Sequence, residues 1–474
     1  MAALEGEEGY VRVRWLSWLA VGAVGLAVVV LPDVGSAADK PQKGTQPRRV
    51  STDVLDDVTG AQRGTQAEPY IHINPEDPDH LVAAWQENRY FAGSAQAHVA
   101  AVSVDGGKRW KETVLPGLTH DAGTRAGPWD LVADPWPEFG PDGAVYYSSL
   151  VGGDSAPFPT AIVVSRSADG GLTWGAPAVV TESKDPDFND KNALTVDTVA
   201  GSKYAGTVYV AWDVNVLNSA GNAFVRQDIY SARSLDDGAT FEAPRLVRTG
   251  AIGGGVIPRV GKKGRVYLLF TAEGADPANR YALFLTSSNN GGRTWKQSRR
   301  LWDIVGASVT DVRDGFSLAS FAVDPKKGNL YVAWQDSRSD VPRILVARST
   351  NGGGKWSTPT DVVDAPADVP AFTPAIAVNG EGEVGVSYYS LQNDPTRSVR
   401  ADVFVRISAD SAGSFDRTFR MTRKSFDLRN AAHSSRGWFL GDYMGLVGTA
   451  DAFQAAWIST RLRAQPDVWT ARTR

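Results

Sequence analysis

Residues 103–110 read SVDGGKRW, and this pattern of serine, aspartate or asparagine, glycine and a closing aromatic decides the fold. The chain contains six copies: SVDGGKRW (103–110), SADGGLTW (167–174), SLDDGATF (234–241), SNNGGRTW (288–295), STNGGGKW (349–356) and SADSAGSF (408–415). Successive copies begin 64, 67, 54, 61 and 59 residues apart. Near-regular spacing of this kind predicts one structural unit repeated along the chain.

Each position of the repeated pattern has a physical role in a tight turn. The Asp or Asn side chain can accept hydrogen bonds from nearby backbone N–H groups. The glycine adopts backbone conformations that other residues disfavour, and the aromatic ring covers apolar surface between neighbouring sheets. The pattern is therefore predicted to serve the fold. A metal site in it is disfavoured, because each turn offers only one carboxylate.

The segments between the turns predict short strands. Residues 73–85, 196–212 and 323–334 each contain a strand end, a turn and a strand rich in Val, Tyr and Trp. A third strand leads into the repeated turn, as in 344–353, and a fourth follows it, as in 357–364. Four short strands per repeat correspond to one blade of a β-propeller.

The repeated turn resembles the Asp-box, or bacterial neuraminidase repeat, of the sialidase superfamily. The resemblance covers about residues 65–474 and implies an all-β propeller with four-stranded antiparallel blades. Asp-boxes also occur in propellers that are not sialidases, so they mark the fold more than the function. We predict seven blades, because 438–474 supplies three strands without an Asp-box and RRVSTDVLDD (48–57) can close the ring as a fourth. Six blades, with the tail packed outside, is the alternative.

The first 38 residues are predicted to be separate from the propeller. Arg12 and Arg14 precede an uncharged run from Trp15 to Leu31, and Ser36-Ala37-Ala38 offers a cleavage site. This order is typical of a secretory signal peptide. An uncleaved membrane anchor is the alternative, because the apolar run is close to the short limit for a span. Both predict an exported chain, either secreted or at the cell surface, outside the cytoplasm.

The composition excludes several other classes of protein. A net charge of −4 gives no reason to expect nucleic acid or an anionic membrane as a partner. We therefore expect contact with a membrane only if the N-terminal segment is not cleaved and anchors the chain. Without cysteine the chain has no disulfides. No P-loop, dinucleotide fingerprint or zinc-binding histidine pattern is present. We expect a monomer that binds a glycan or glycoprotein without a cofactor. Residues 39–64 read mostly as a solvated linker.

One acidic segment leaves calcium open as an alternative. DPDFNDKN (185–192) places Asp185, Asp187, Asn189 and Asp190 at nearly alternating positions, and these oxygen ligands suit Ca²⁺. The segment lacks the sixth-position glycine and the twelfth-position glutamate of an EF-hand. A solvated acidic loop is the competing interpretation, and no metal-binding residue is assigned.

The resemblance places a ligand site on one face of the propeller, where the innermost strands begin. Sialidases use a Tyr nucleophile, and by resemblance a neighbouring carboxylate helps it while clustered arginines hold the sugar's carboxylate, a match suited to guanidinium. Alignment of the innermost strands by a terminal Asp or Asn gives most of the candidates, and the long irregular approaches VTDVRDGF (309–316) and HSSRGWFLGDYMG (433–445) add Arg313 and Arg436. For catalysis they are Tyr443, Asp442, Glu68 and Asp130, and for substrate binding Arg259, Arg313, Arg436, Trp129, Lys191 and Asp190.

Two kinds of function therefore remain open. The first is an exported sialidase-like glycoside hydrolase that acts on terminal sugars of extracellular glycans. The second is a non-catalytic propeller that binds carbohydrate or protein at the cell surface, with an adhesion or assembly scaffold as a further variant. The Phe/Tyr-Arg-Ile-Pro motif of many sialidases is absent, since Ile257-Pro258-Arg259 has another order and lies mid-chain. Asp442 can equally cap a turn, and Tyr443 can be a core aromatic.

Overall fold

The structure is a computed structural model that describes residues 40–473 apart from 56, 57, 59, 123–125, 155–158, 252, 253, 277, 278 and 463. The predicted signal segment, 1–38, and the last predicted residues of the closing strand, Asp56 and Asp57, lie outside the described residues. The described chain is all-β, with two short 3₁₀ turns at Lys262–Gly264 and Leu428–Asn430. Within this part, no helix is long and apolar enough to cross a bilayer.

After β1 (Gln42–Lys43) and β2 (Arg48–Arg49), the strands of the first half form four antiparallel groups of four in chain order, which we call sheets 1 to 4. A single pair, Ala95 with Val132, joins sheets 1 and 2 into one eight-stranded sheet. Sheet 1 consists of β3 (Ala61–Ile73), β4 (Leu81–Tyr90), β5 (Ala95–Ser103) and β6 (Lys111–Val114). Sheet 2 consists of β7 (Leu131–Phe139), β8 (Val145–Gly152), β9 (Thr160–Ser167) and β10 (Ala178–Glu182). Sheet 3 consists of β11 (Phe188–Val196), β12 (Val208–Leu217), β13 (Phe224–Ser234) and β14 (Arg245–Ala251). Sheet 4 consists of β15 (Gly254–Gly261), β16 (Arg265–Asp276), β17 (Asn279–Ser288) and β18 (Arg299–Ile304).

The second half continues this order after β19 (Val312–Arg313). Sheet 5 consists of β20 (Ser320–Val323), β21 (Leu330–Asp336), β22 (Arg343–Ser349) and β23 (Thr360–Asp361). Sheet 6 consists of β24 (Ala371–Val378), β25 (Val384–Ser390), β26 (Arg400–Ser408) and β27 (Arg417–Arg420), with β28 (Phe426–Asp427) also beside β26. The mouth sheet consists of β19, β29 (Ala432–Ser434) and β30 (Gly437–Phe439). Sheet 7 consists of β31 (Gly445–Gly448), β32 (Phe453–Ser459), β33 (Asp467–Arg472) and β2.

The first strands of the seven sheets lie next to one another. β3, β7, β11, β15, β20, β24 and β31 are neighbours in that order, and β31 also contacts β3. Four second strands, β4, β12, β21 and β32, each bury a tryptophan that is at most 1% exposed: Trp85, Trp212, Trp334 and Trp457. These large rings fill the apolar space between neighbouring sheets, where burial of aromatic surface stabilises the fold.

The N-terminal segment completes sheet 7. Arg48 and Arg49 pair with Thr470 and Trp469 of β33, so the two ends of the chain share one sheet. β1 pairs in parallel with β27 and extends sheet 6. The strand itself is shorter than the predicted 48–57, and β3 already begins at Ala61, inside the predicted linker, because Ala61 pairs with Tyr90 and lengthens the hairpin of sheet 1.

The six repeated turns share one hydrogen-bond pattern. The serine hydroxyl accepts a bond of 2.7–2.9 Å from the backbone N–H four residues later, at Gly107, Gly171, Gly238, Gly292, Gly353 and Ala412. The Asp or Asn side chain accepts a bond from the N–H four residues beyond it, as in Thr173 N–H to Asp169 at 2.8 Å. Side-chain acceptors therefore hold each turn closed.

Candidate functional site

A β-bulge in the first strand redirects one residue in five of the sheets. The register against the second strand shifts after Ala67, Ala133, Asp190, Gly254 and Phe372. The next residue has a positive φ in each case: Glu68 (54°), Asp134 (56°), Lys191 (45°), Gly255 (73°) and Thr373 (51°). This backbone costs roughly 1–2 kcal/mol for a residue with a side chain. Such strained positions and bulges are concentrated at functional sites.

Three of these bulges, together with Asp442, form a charged cluster. Lys191 Nζ lies 2.7 Å from Asp442 Oδ2, 2.9 Å from Asp134 Oδ1 and 3.5 Å from Glu68 Oε1. Arg313 Nη2 lies 3.1 Å from the same Asp442 oxygen. We call Glu68, Asp134, Lys191 and Asp442 the Lys191 cluster. Its three carboxylate residues are at most 7% exposed, so its electrostatic interactions are weakly screened by solvent.

The environment separates the pKa values of two carboxyl groups in the cluster. Burial raises the pKa of Glu68 to about 7, an effect that exceeds the opposing influence of Lys191. Burial also acts on Asp442, but the cations of Lys191 and Arg313 hold the pKa of Asp442 well below its usual range. At pH 7 Asp442 is therefore ionised while Glu68 still carries a proton about half the time. Such divergent carboxyl groups are typical of acid–base assignments in enzymes.

The Lys191 cluster lines an open cavity of about 510 Å³, which we call the front cavity. This volume lies within the range of small-molecule sites. Its charged lining residues are Glu68, Arg89, Asp134, Asp190, Lys191, Asp213, Arg313, Asp314, Arg436 and Asp442. Burial raises the pKa values of Asp190 and Asp213. Among the described residues, no group of three or more His, Asp or Glu side chains is arranged to hold a metal.

The mouth sheet places arginine side chains at the front cavity. Arg313 of β19 pairs in register with Phe439 of β30, and Arg436 lies in the turn between β29 and β30. Arg89, near the end of β4, joins them and is 1% exposed. Burial and the positive charge of Arg313 lower the pKa of Arg89 to about 10, so Arg89 remains cationic at pH 7.

Arg259 lies at the opposite end of the space between the first strands. It lines a second cavity of about 560 Å³, the rear cavity, together with Glu138 and Tyr70. Arg259 Nη1 lies 3.0 Å from Glu138 Oε1, and Nη2 donates to the Tyr70 hydroxyl at 2.9 Å. A narrow chamber of about 50 Å³ is lined by residues of both cavities, including Lys191, Asp442 and Arg259. The structure therefore does not bring Arg259 to the front cavity.

Tyr443 lines the narrow chamber beside Asp442. Its hydroxyl donates to the Pro135 carbonyl at 3.2 Å, and its ring packs edge-on against Tyr70 and Trp136. Burial raises the pKa of Tyr443 well above its usual value, so the hydroxyl is neutral at pH 7. The structure therefore places Tyr443 next to the cluster with its hydroxyl held by the main chain.

Asp130 and Trp129 do not line the front cavity. Asp130 Oδ1 lies 3.1 Å from His120 Nδ1, and its other oxygen accepts from Asp154 N–H. Trp129 packs against the core between sheets 1 and 2. In the predicted acidic segment, Asp187 accepts from the Leu217 N–H at 2.9 Å, so this carboxylate binds the end of the neighbouring strand β12.

Asp134 and Arg89 belong to the front cavity although they were not among the predicted site residues. A signal for Asp134 exists, because Ala133-Asp134-Pro135-Trp136 repeats the pattern of Ala67-Glu68-Pro69-Tyr70. Both segments contain the bulge described above. Arg89 carries no comparable signal, since it arrives from a second strand.

Comparisons with known proteins return structures of similar fold. No protein-family model matches the chain, and no curated protein matches it. A Dyadobacter fermentans protein of unknown function is 15% identical, with 90% of this chain and 99% of that chain covered and a TM-score of 0.49. A Hadza microbial sialidase is 15% identical, with 84% and 74% covered and a TM-score of 0.46. NanB sialidase from Streptococcus pneumoniae is 11% identical, with 91% and 98% covered and a TM-score of 0.43.

The two sialidases are of the class that the Asp-box repeats resemble. At this level of identity and TM-score, their activities carry no argument about this chain.

Proposed function

We propose that this chain is an exported sialidase-like glycoside hydrolase and that the front cavity binds and cleaves a terminal sugar. The observation that carries the proposal is the placement of Glu68 and Asp442 around one ammonium group. Their oxygens lie 3.5 and 2.7 Å from Lys191 Nζ, so these oxygens are within about 6 Å of each other, near the separation of paired carboxyl groups in glycosidases.

The two carboxyl groups suit different roles in glycosidic cleavage. Glu68 is the proposed proton donor to the leaving oxygen, because burial keeps a proton on it up to about pH 7. Asp442 remains ionised and is the proposed group that stabilises positive charge on the sugar. Lys191 lowers the pKa of both groups, and the difference between them arises because burial dominates at Glu68 while Lys191 and Arg313 together dominate at Asp442.

Tyr443 is the proposed nucleophile under the sialidase resemblance. Its position next to Asp442 in the chamber supports this role. Attack by Tyr443 on the anomeric carbon requires its hydroxyl to leave the Pro135 carbonyl and to pass its proton to a carboxylate of the chamber, Asp134 or Asp442. The bond from the sugar to the leaving oxygen breaks as Glu68 protonates that oxygen, and water then releases the sugar from Tyr443. Asp130 has no part in the proposal, because it pairs with His120 instead.

The cations of the front cavity favour an anionic sugar. Arg89, Arg313 and Arg436 all line the cavity, and guanidinium groups match the geometry of a carboxylate. Asp442 already contacts Arg313 and Lys191. Arg89 contacts no carboxylate within salt-bridge distance in the described chain, and Arg436 is exposed. A terminal sugar that carries a carboxylate is therefore the proposed substrate class.

We also propose a seven-bladed propeller as the frame of this site. The order of first strands, in which β31 returns to contact β3, supports a closed ring of seven sheets. The pairing of Arg48 and Arg49 with β33 supports closure through the chain ends. The N-terminal charge and hydropathy pattern supports the proposed export, and action on extracellular glycans as a monomer is part of the same proposal.

A second candidate is a non-catalytic sugar-binding propeller. The observation in its favour is that Lys191 already satisfies Asp134 and Asp442, while Pro135 satisfies Tyr443. A site whose charged groups are internally paired can recognise a ligand without reacting with it.

The test is hydrolysis of a fluorogenic sialoside and a panel of other aryl glycosides by the full chain. We expect turnover that falls by about 10²–10⁴-fold in Glu68→Gln, the range for loss of a general acid. Glu87→Gln is the matched control, because Glu87 is equally buried, has a raised pKa of about 8 and does not line the front cavity. Binding of a sugar without turnover on any glycoside would favour the second candidate.

A further inference from the structure

Phe439 contacts two arginines of the front cavity through its ring. Arg89 Cζ lies 4.2 Å from the ring centroid and Arg313 Cζ lies 4.3 Å from it. The Phe439 side chain is fully buried, and its strand β30 pairs with β19 so that Phe439 lies directly opposite Arg313. A guanidinium over an aromatic face is attracted by the ring's quadrupole. One ring therefore contacts two cations of the same cavity.

The support of Arg89 differs from the support of Arg259 in the rear cavity. Arg259 is held by the carboxylate of Glu138, which neutralises its charge. Arg89 has no carboxylate within salt-bridge distance in the part of the chain that the structure describes, and its side chain donates to the Tyr90 carbonyl at 2.6 Å. An aromatic ring holds a guanidinium in place without cancelling its charge.

Arg89 also retains unused hydrogen-bonding capacity. The Nε atoms of both Arg89 and Arg313 are buried and have no hydrogen-bond partner. A buried donor without a partner costs roughly 1–3 kcal/mol. The two cations also repel each other, which contributes to the lowered pKa of Arg89. An anion bound between them relieves the repulsion and can accept bonds from the guanidinium groups.

We propose that Phe439 is a positioning residue that holds Arg89 and Arg313 against the carboxylate of the substrate sugar, where Arg313 also contacts Asp442 and Arg89 has no salt bridge among the described residues. This inference rests on the proposed function for the anionic substrate class, and it adds the residue that makes the arginine pair selective for a charged ligand. Phe439 acts through the arginines, since it is buried and has no surface for the sugar.

The experiment weakens the ring's quadrupole with little change in its size. Phe439 in the full chain is replaced by phenylalanine analogues with one, two and three ring fluorines, and Phe439→Leu removes the ring altogether. The probes are N-acetylneuraminate and its methyl ester, which lacks the charge. Binding is measured by calorimetry at constant salt. Phe453 is the control position, because it is equally buried and contacts no cation among the described ring contacts.

We expect the affinity for N-acetylneuraminate to fall stepwise, by about 10-fold from phenylalanine to the trifluoro analogue, a loss in the range of the cation–π attraction. The affinity for the methyl ester should change by less than about 2-fold, and fluorination of Phe453 should change neither. A structural role alone predicts equal losses for acid and ester.

Three results overturn the inference: equal losses for the two probes, an unchanged affinity along the fluorine series, or no preference of the unmodified protein for the acid over its ester. The glycoside assay is scored separately. A protein that binds the acid in a Phe439-dependent way but cleaves no glycoside retains the inference and contradicts the hydrolase.

Discussion

The front and rear cavities lie at opposite ends of the same first strands, yet their charged side chains are paired differently. In the rear cavity Arg259 meets one carboxylate, Glu138, and its remaining donors reach Tyr70 and the carbonyl oxygens of Pro258 and Phe321. In the front cavity one cation, Lys191, is shared among several carboxylates, and two arginine Nε atoms have no partner.

This difference separates a structural ion pair from a candidate site. A buried pair with satisfied hydrogen bonds holds neighbouring strands in place and gains little from a ligand. Groups that are crowded, unpaired or strained gain from a ligand. Of the left-handed non-glycine residues at the bulges of the first strands, Glu68, Asp134 and Lys191 line the front cavity and Thr373 lines neither cavity. The comparison therefore predicts that front substitutions change activity and that rear substitutions change stability.

The largest expected effect is the contrast between Glu68→Gln and Glu138→Gln. The first removes the proposed proton donor and should lower kcat by about 10²–10⁴-fold. The second leaves the front cavity intact, and kcat per folded molecule should stay within about 2-fold. Both are measured on the fluorogenic glycoside that gives the highest turnover, with the folded fraction determined by circular dichroism. Equal losses of kcat in the two variants would contradict the division between the cavities.

The second prediction concerns stability. Arg259→Met leaves the Glu138 carboxylate, whose side chain is 6% exposed, without its partner. Breaking such a pair costs about 3–5 kcal/mol in the free energy of unfolding, measured by urea denaturation. The double variant Arg259→Met/Glu138→Gln should recover part of the loss, because no charge is then left unpaired. A change in KM for the anionic substrate at unchanged stability would instead return Arg259 to the substrate-binding residues.

The third prediction is a pH profile. Burial raises the pKa of Glu68 from 4.5 to about 7, so the proton donor is present below pH 7, and kcat/KM should fall ten-fold per unit above it. The unfolded chain loses this proton near pH 4.5, so the stability contributed by protonated Glu68 is complete below pH 4.5 and is lost as pH rises through 7. Arg259→Met should leave the alkaline limb in place. A profile that stays flat to pH 9 excludes Glu68 as the donor.

The repeated turns could be predicted because the residues that form each turn are close together in the sequence. Serine, Asp or Asn and glycine within eight residues contain the acceptors and the backbone freedom that the turn needs. The short strands between them follow from the same regular spacing. The pairing of Arg48 and Arg49 with β33 could also be anticipated, since the last segment lacks a strand and a sheet edge favours a partner.

The candidate site was only partly predictable, because its residues are selected by tertiary structure. Glu68, Lys191, Arg313, Arg436, Asp190 and Asp442 were identified and do line the front cavity. The alignment relied on an Asp or Asn at the end of each first strand. In sheet 2 that residue is missing, because β7 ends at Phe139 and a glycine follows. Asp134 was missed for this reason. The bulge that turns Asp134 toward Lys191 arises from pairing with β8, and its local signal is the alanine, acid, proline and aromatic pattern that 133–136 shares with 67–70.

The smallest expected effect concerns the rim of each cavity. Arg436 is exposed and lines the front cavity, whereas Lys326 is exposed and lines the rear cavity. Exposed charges act over about 10 Å at 0.1 M salt and contribute roughly 0.2–1 kcal/mol. Arg436→Gln should therefore raise KM for an anionic glycoside by about 2–5-fold at low salt, with kcat unchanged and the difference abolished at 1 M salt. Lys326→Gln should have no effect, because the substrate does not pass the rear cavity. A salt-dependent rise in KM for Lys326→Gln as large as that for Arg436→Gln would mean that the ligand enters from both ends. The front cavity would then not be the sole entrance for the substrate.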